Sequence, residues 1–380
     1  GSTTALLLAQ RGWQVAVVEK SVFPRKKVCG EFISATNIPL LDRLGVGALW
    51  RAGAGPEIRR VGLFCGHGVA EAPMPAARSG AFGRALGRDV LDHALLEQAR
   101  AAGVEVFQPW RAVSVEKHGV VQSVLIDGKG RQAVLTAPVI IAAHGSWETG
   151  KLPSQPDRVN RPRDLLGFKA HFLHASLRPD LMPLIVFPGG YGGLVWADRR
   201  RLSLSCCIRR DMLGMVRQRY GNLTAGEALS RHMMHACRGV REAIGGATLD
   251  GRWLAAGPIR PGIRAGYADD IFRVGNSAGE CHPIVAEGIT MAIQSAWLLA
   301  SALAETRPRD PASRKLAGAR YARAWRRLFE LRVRSAAAFA SIALSPVGRA
   351  GMQISVTALP QLLTIGAALS GKNRMPAEQL

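Results

Sequence analysis

The sequence predicts an α/β chain: a doubly wound domain assembled from separate segments, an inserted antiparallel-sheet domain and a helical C-terminal region. Three observations carry this. Gly1, Ala5, Gly12 and Glu19 punctuate a helix followed by a short strand rich in β-branched residues. VIIAAHG (139–145) is an unbroken apolar run, the signature of a strand buried on both faces. IFRVG (271–275) is a second such strand, and a glycine-rich turn and a long apolar helix follow it.

Composition agrees. The 380 residues are 48% hydrophobic and 21% charged, with a mean hydropathy of +0.07. That is enough apolar material for a large core and excludes wholesale disorder. Six cysteines without a CxxC pair exclude a disulfide framework, a zinc ribbon and a thioredoxin-like redox motif. They fit a reducing, cytoplasmic compartment. No signal peptide is visible.

Taken in order, residues 2–11 read as a helix that Gly12 stops, and 13–19 as a strand ending in Glu19. A basic loop, FPRKKVCGE (23–31), follows. Helices are expected near 34–44 and over 88–102, the latter with apolar positions at Leu91, Ala94, Leu95 and Ala99 and a Gly103 cap. Strands are expected at 104–107, 112–116, 120–126 and 132–136. Residues 166–258 mix strands, for example 193–208, with a helix near 225–243. The apolar helix is expected at 287–304. A basic stretch, 314–334, carries eight Arg or Lys and one acid, and an apolar tail, 335–371, is broken at Pro346 and Pro360. The 17 residues 288–304 fall short of the roughly 20 needed to span a bilayer.

The opening carries the chemistry. Gly1 starts a helix, where a pyrophosphate can approach the backbone and the positive helix end. Ala5 is small for helix–sheet contact. Glu19 ends the next strand, where a carboxylate accepts ribose hydroxyls. The first strand and two glycines of such a unit would lie before residue 1, so the sequence reads as a fragment. His232, His235 and Cys237 lie within six residues but have no fourth ligand or acid nearby, and His282 beside Cys281 has no third. A helix surface and a turn are the readings adopted, and no metal site is assigned.

The stretches FPRKKVCGE (23–31), IIAAHGSWE (140–148) and VGNSAGECHPIVAEGITMAIQSA (274–296), taken with the opening, resemble the FAD-binding, Rossmann-like fold of the para-hydroxybenzoate hydroxylase superfamily, particularly its geranylgeranyl-reductase-like branch. The resemblance covers about 1–45, 84–148 and 265–305, with a weaker echo at 183–197. It implies an FAD-binding domain from residues 1–165 and 259–305, a substrate domain at 166–258 and a helical C-terminal region at 306–380. It places Gly1 at the FAD pyrophosphate, Glu19 at the adenosine ribose, and Arg25, Cys29, Gly30 and Glu31 on the flavin side. Arg88 resembles the family arginine that contacts the cofactor. Gly275 and Asn276 occupy the family Gly-Asp pair, and Gly279, Pro283, Gly288 and Ile289 match the turn that faces the flavin pyrimidine edge. Two departures stand out: Asn276 replaces the aspartate, and His144-Gly145 replaces an Asp-Gly. Cys29 and Tyr191 are the candidate catalytic residues.

The implied function is an FAD-dependent oxidoreductase acting on a hydrophobic polyprenyl, lipid or polyketide-like substrate, with NAD(P)H as external donor. Double-bond reduction is the first expectation and aromatic hydroxylation, by a monooxygenase reaction, the second. A flavin-binding protein with impaired catalysis is the third. Prenyl reductases show a Pro-x-x-Tyr-x-Trp-x-Phe-Pro element; here Pro188 and Tyr191 match, Gly193 replaces Trp, and Val195-Trp196 replace Phe-Pro. The Trp-x-Trp-x-Ile-Pro element of halogenases is absent. The net charge of +22 and pI near 11.0 raise a nucleic-acid reading. Only 6% of residues are aromatic, the basic residues are dispersed and no nucleic-acid motif occurs, so that reading is set aside. Residues 314–371, a basic helix with an apolar tail, predict peripheral contact with the inner face of a membrane. Oligomeric state is not legible.

Overall fold

A computed structural model describes residues 1–157 and 159–370; the end of the expected C-terminal region, 371–380, lies outside the described residues. In chain order the first domain opens with α1 (Ser2–Ala9) and β1 (Ala16–Val18), then α2 (Ile38–Arg43) and α3 (Gly47–Gly53). An excursion into a hairpin, β2 (Arg60–Cys65) and β3 (Gly68–Pro73), precedes α4 (Arg88–Ala101) and β4 (Glu105–Phe107). A meander of β5 (Arg111–His118), β6 (Val121–Gly128) and β7 (Arg131–Ala137) leads to β8 (Ile140–Ala142). The second block holds β9 (Leu165–Leu173), β10 (Leu181–Phe187), β11 (Gly190–Trp196) and β12 (Leu202–Arg209). It continues with α5 (Arg210–Tyr220), α6 (Ala225–Ala236), α7 (Arg238–Ile244) and β13 (Thr248–Ile259). The chain returns through β14 (Ile271–Arg273) to α8 (Gly288–Leu303), then α9 (Pro311–Leu344), α10 (Pro346–Ala358) and α11 (Gln361–Leu369).

The first domain is parallel where it matters: β1 pairs with β4, and β8 with β14. Its core is built from the small and branched faces of α1, α4, α8 and α9, with Leu6, Leu41, Leu95, Phe272, Leu299 and Phe329 buried together. The short β8 is largely half-buried, contrary to the two-sided burial its apolar run predicts, because Ile140, Ile141 and Ala142 border a cavity. The second domain is a seven-stranded sheet in the order β13-β9-β12-β11-β10-β2-β3. All its pairings are antiparallel except β10 with β2. Two of its strands therefore come from residues 60–73, outside the 166–258 block.

The helix expected near 225–243 is two helices. Cys237, with φ −133° and ψ 113°, leaves helical geometry between α6 and α7. α6 starts with a capping box between Thr224 and Glu227, which satisfies two of the donors a helix start leaves open. The basic stretch belongs to a 34-residue helix, α9, capped by Asp310 and ended before Pro346, and Pro360 marks the next break. Pro fits the first turn of a helix and not its interior, so each proline starts a new axis.

Candidate flavin site

A cavity of about 1430 Å³ runs between the two domains and under the C-terminal helices. Gly1, Glu19, Arg25, Cys29, Gly30, Glu31, Arg88, Tyr191, Gly275, Asn276, Pro283, Gly288 and Ile289 all line it. Gly279 does not. A Cβ there would sit 2.3 Å from the Trp325 ring, so this glycine admits α9 against the turn rather than a ligand.

Two helix starts open into the cavity. α1 begins at Gly1 and α8 after Glu287, and neither has a side-chain cap. Their free N–H groups and dipoles favour negative charge. A Cβ built on Gly288 meets nothing within 4 Å, so the cavity comes up to the α8 backbone itself. Thr4 Oγ1 and Arg25 Nε are buried without a hydrogen-bond partner among the described residues, and both residues line the cavity. A long anionic ligand with a flat ring fits these features: its phosphates at α1 and Arg25, its ring against Gly288.

Glu19 accepts from Ser21 N at 2.8 Å and pairs with Arg25 at 3.5 Å. Arg25 thus stands beside the carboxylate assigned to the ribose, not alone at the flavin side. Arg88 makes a bidentate pair with Asp92, at 2.6 and 2.7 Å. Burial works against the Asp92 charge, but Arg88 overrides it and holds the carboxyl below its usual range. Arg88 therefore borders the cavity with its guanidinium already engaged. Lys27, sequestered beside Arg88 and Arg25, is pushed down to about 8, first by burial and then by those two charges.

Glu31 is the hub of the loop. It adopts φ +62°, a conformation few residues other than glycine accept. Its Oε1 accepts from Arg88 N at 3.1 Å and pairs with Lys169 Nζ; its Oε2 meets His171 Nε2 at 2.8 Å. All three side chains are buried. Burial alone would raise the Glu31 carboxyl, but the His171 hydrogen bond and the Lys169 charge bring it down to about 2. Burial lowers Lys169 as well. Lys169 and His171 were not expected from the sequence. The signal was there: two polar residues two apart, on one face of the otherwise apolar strand LLGFKAHFL.

Glu31 N donates to Cys29 Sγ at 3.4 Å. Asn276 donates from Nδ2 to Glu280 Oε1 at 3.0 Å, and Ser146 donates to Glu280 Oε2 at 2.6 Å. Glu280 also lines the cavity, and burial raises its carboxyl. The amide that replaces the family aspartate is thus tied to a neighbouring acid. His144 Nε2 meets Ser154 Oγ at 2.8 Å, and burial lowers its ring. Tyr191 bonds His282 Nδ1 at 2.9 Å. Burial raises the phenol well above its ordinary value and takes the imidazole down to about 4. Both groups are therefore neutral, and the His282 tautomer sets which of them donates. His232 is not among the cavity-lining residues and bonds the Pro188 carbonyl at 3.0 Å.

Residues 1–151 match the model of the FAD binding domain family. That match supports FAD binding by the first domain. This flavoprotein is 25% identical over 327 residues to conditioned medium factor receptor 1 of Dictyostelium discoideum, covering 80% of the chain but only 61% of that relative. It is 31% identical over 133 residues to menaquinone reductase of Mycobacterium tuberculosis, covering 34% of the chain and 32% of the relative. The chain thus spans 61% and 32% of the lengths of these two relatives, under two thirds of each. Its fold matches that of the myxobacterial chondrochloren halogenase CndH with a TM-score of 0.77 at 18% identity, over 97% of this chain and 88% of that one.

Proposed function

We propose that this flavoprotein reduces a carbon–carbon double bond in a hydrophobic, polyprenyl- or lipid-like substrate. The observation that carries the reading is the far end of the cavity. There Met182, Leu184 and Val195 of the sheet face Phe339, Ile342, Met352, Val356 and Leu363 of the C-terminal helices. An apolar chamber of this kind favours a greasy chain through burial of its surface. The partial likeness to menaquinone reductase supports the same direction.

Bound FAD supplies the hydride-transfer chemistry. The chain holds that group through α1, Arg25 and Glu19, and Gly288 leaves room for its ring. Such a reduction would add two hydrogens across the double bond, one as hydride and one as a proton, with the electrons drawn from an external nicotinamide, NAD(P)H. Tyr191 is the proton donor of this reading. Its phenol borders the cavity, stays protonated and is oriented by His282. Cys29, on the loop held by Glu31, is the alternative donor.

The test is anaerobic. Protein loaded with FAD and supplied with NADPH is mixed with a polyprenyl quinone, and the product is weighed by mass spectrometry. A gain of two hydrogens in the side chain, without O₂, is expected. Turnover only in air, with O₂ consumed in proportion to substrate, assigns the chain to the hydroxylase reaction instead. Bound FAD with no turnover of either kind leaves a binding protein.

A further inference from the structure

α10 and α11 are apolar on both sides. Their inner residues Met352, Val356, Leu363 and Ala367 are buried against the sheet and the cavity. Their outer residues include Val347 at 84% exposure, Ile354 at 71%, Leu369 at 71% and Ile365 at 54%. Between 345 and 370 the one charged residue is Arg349. An apolar outer face of this extent marks a surface that something covers. No single described helix is long and apolar enough to cross a membrane, and the axes of α10 and α11 differ by 117°.

The cavity opens through this face. Gly351, Ser355, Leu362, Gly366 and Leu369 line the cavity and are also exposed. The apolar chamber therefore has its mouth in the apolar surface, among side chains that water solvates poorly.

Charge selects the occupant. On α9, the exposed residues Arg320, Arg323, Arg327, Leu331 and Arg334 recur at three- and four-residue spacing and so share one face. Arg320 has an acid partner in Glu305, and Arg334 in Glu330. A second copy of the chain would bring the same arginines and the same +22 charge. An anionic bilayer brings acyl chains for the apolar face and phosphates for the arginines.

We infer that α10 and α11 rest in the interfacial layer of an anionic bilayer, with the cavity mouth facing the acyl chains and the outer arginines of α9 at the headgroups. Docking follows from the surface alone; delivery of substrate through the mouth rests on the proposed hydrophobic substrate.

The experiment is flotation of the FAD-loaded chain with phosphatidylglycerol vesicles and with phosphatidylcholine vesicles, in the absence of substrate. The chain should float with the former and far less with the latter. Ile354→Asp with Ile365→Asp should cut flotation by about tenfold or more. Val134→Asp, an exposed apolar site on β7, should leave it unchanged. Melting temperature and FAD content, read on the same samples, check that the double variant folds. Should it not fold, amide exchange on the unsubstituted chain decides: vesicles should slow exchange across 346–369 and not across the β5–β7 meander. A chain that ignores phosphatidylglycerol vesicles, a folded double variant that floats equally, or a dimer in solution that the double variant dissolves would each overturn the inference. Neither flotation nor exchange needs turnover, so a failed docking test and a failed reductase test are separate results.

Discussion

The two ends of the cavity obey different physics. The loop end is polar and over-determined: Glu31 in left-handed backbone, an ion pair to Lys169, a bond to His171, a bond from Arg88 N, and two uncapped helix starts. The far end has almost no polar groups and is closed by short helices that a proline starts and a proline ends. A charged ligand needs fixed dipoles, and fixed dipoles need a rigid, hydrogen-bonded frame. A greasy chain needs only volume and apolar area, which a loosely specified wall provides. The cofactor end should therefore break sharply when one group is changed, and the substrate end gradually.

The largest effect should come from Glu31→Gln. It strands Lys169 in a buried site, and breaking such a pair costs about 3–5 kcal/mol. Chemical denaturation should show the loss. The pH dependence has a definite sign. The Glu31 carboxyl is depressed to about 2 in the folded state, so its stabilisation is complete above the unfolded carboxylate range and disappears as pH falls toward 2. The variant should lack that part of the acid transition.

Next is Gly288→Val. Its side chain would enter open space in front of α8, so folding stability should be kept while FAD affinity falls at least about tenfold, or roughly 1.4 kcal/mol. Equal FAD affinity would mean that no ring lies there. Gly351→Leu probes the other end. A Cβ at Gly351 also meets nothing within 4 Å, and the residue lines the mouth. Here kcat/KM for a long substrate should drop several-fold, about 1 kcal/mol, with FAD content unchanged. The smallest effect is that of Lys27. Its ammonium loses its proton near pH 8, and a bound pyrophosphate would favour the charged form, so FAD binding takes up a proton. Affinity should decline above pH 8 by at most about tenfold per unit, and Lys27→Gln should flatten the decline.

What the sequence made legible is what is local. The glycine-marked turns, the α4 face and the proline breaks of the tail depend on neighbours within a few residues, and each stands where the pattern places it. The rest is long-range. The β2–β3 hairpin joins a sheet whose other strands begin a hundred residues later, through a parallel pairing of Leu63 with Leu184 that no local pattern announces. Lys169 and His171 interrupt an apolar strand, and their partner Glu31 comes from a loop far away in the chain. Gly279 shows the limit of motif reading: the residue matches the family turn, but its lack of a side chain serves Trp325.

The central claim is that these distant turns grip one FAD, and the most direct measurement is flavin stoichiometry. Protein reconstituted with FAD and freed of excess should carry one flavin per chain by visible absorption, and Gly288→Val prepared in the same way should carry far less. A colourless protein that takes up no FAD, although folded by circular dichroism, would contradict the account.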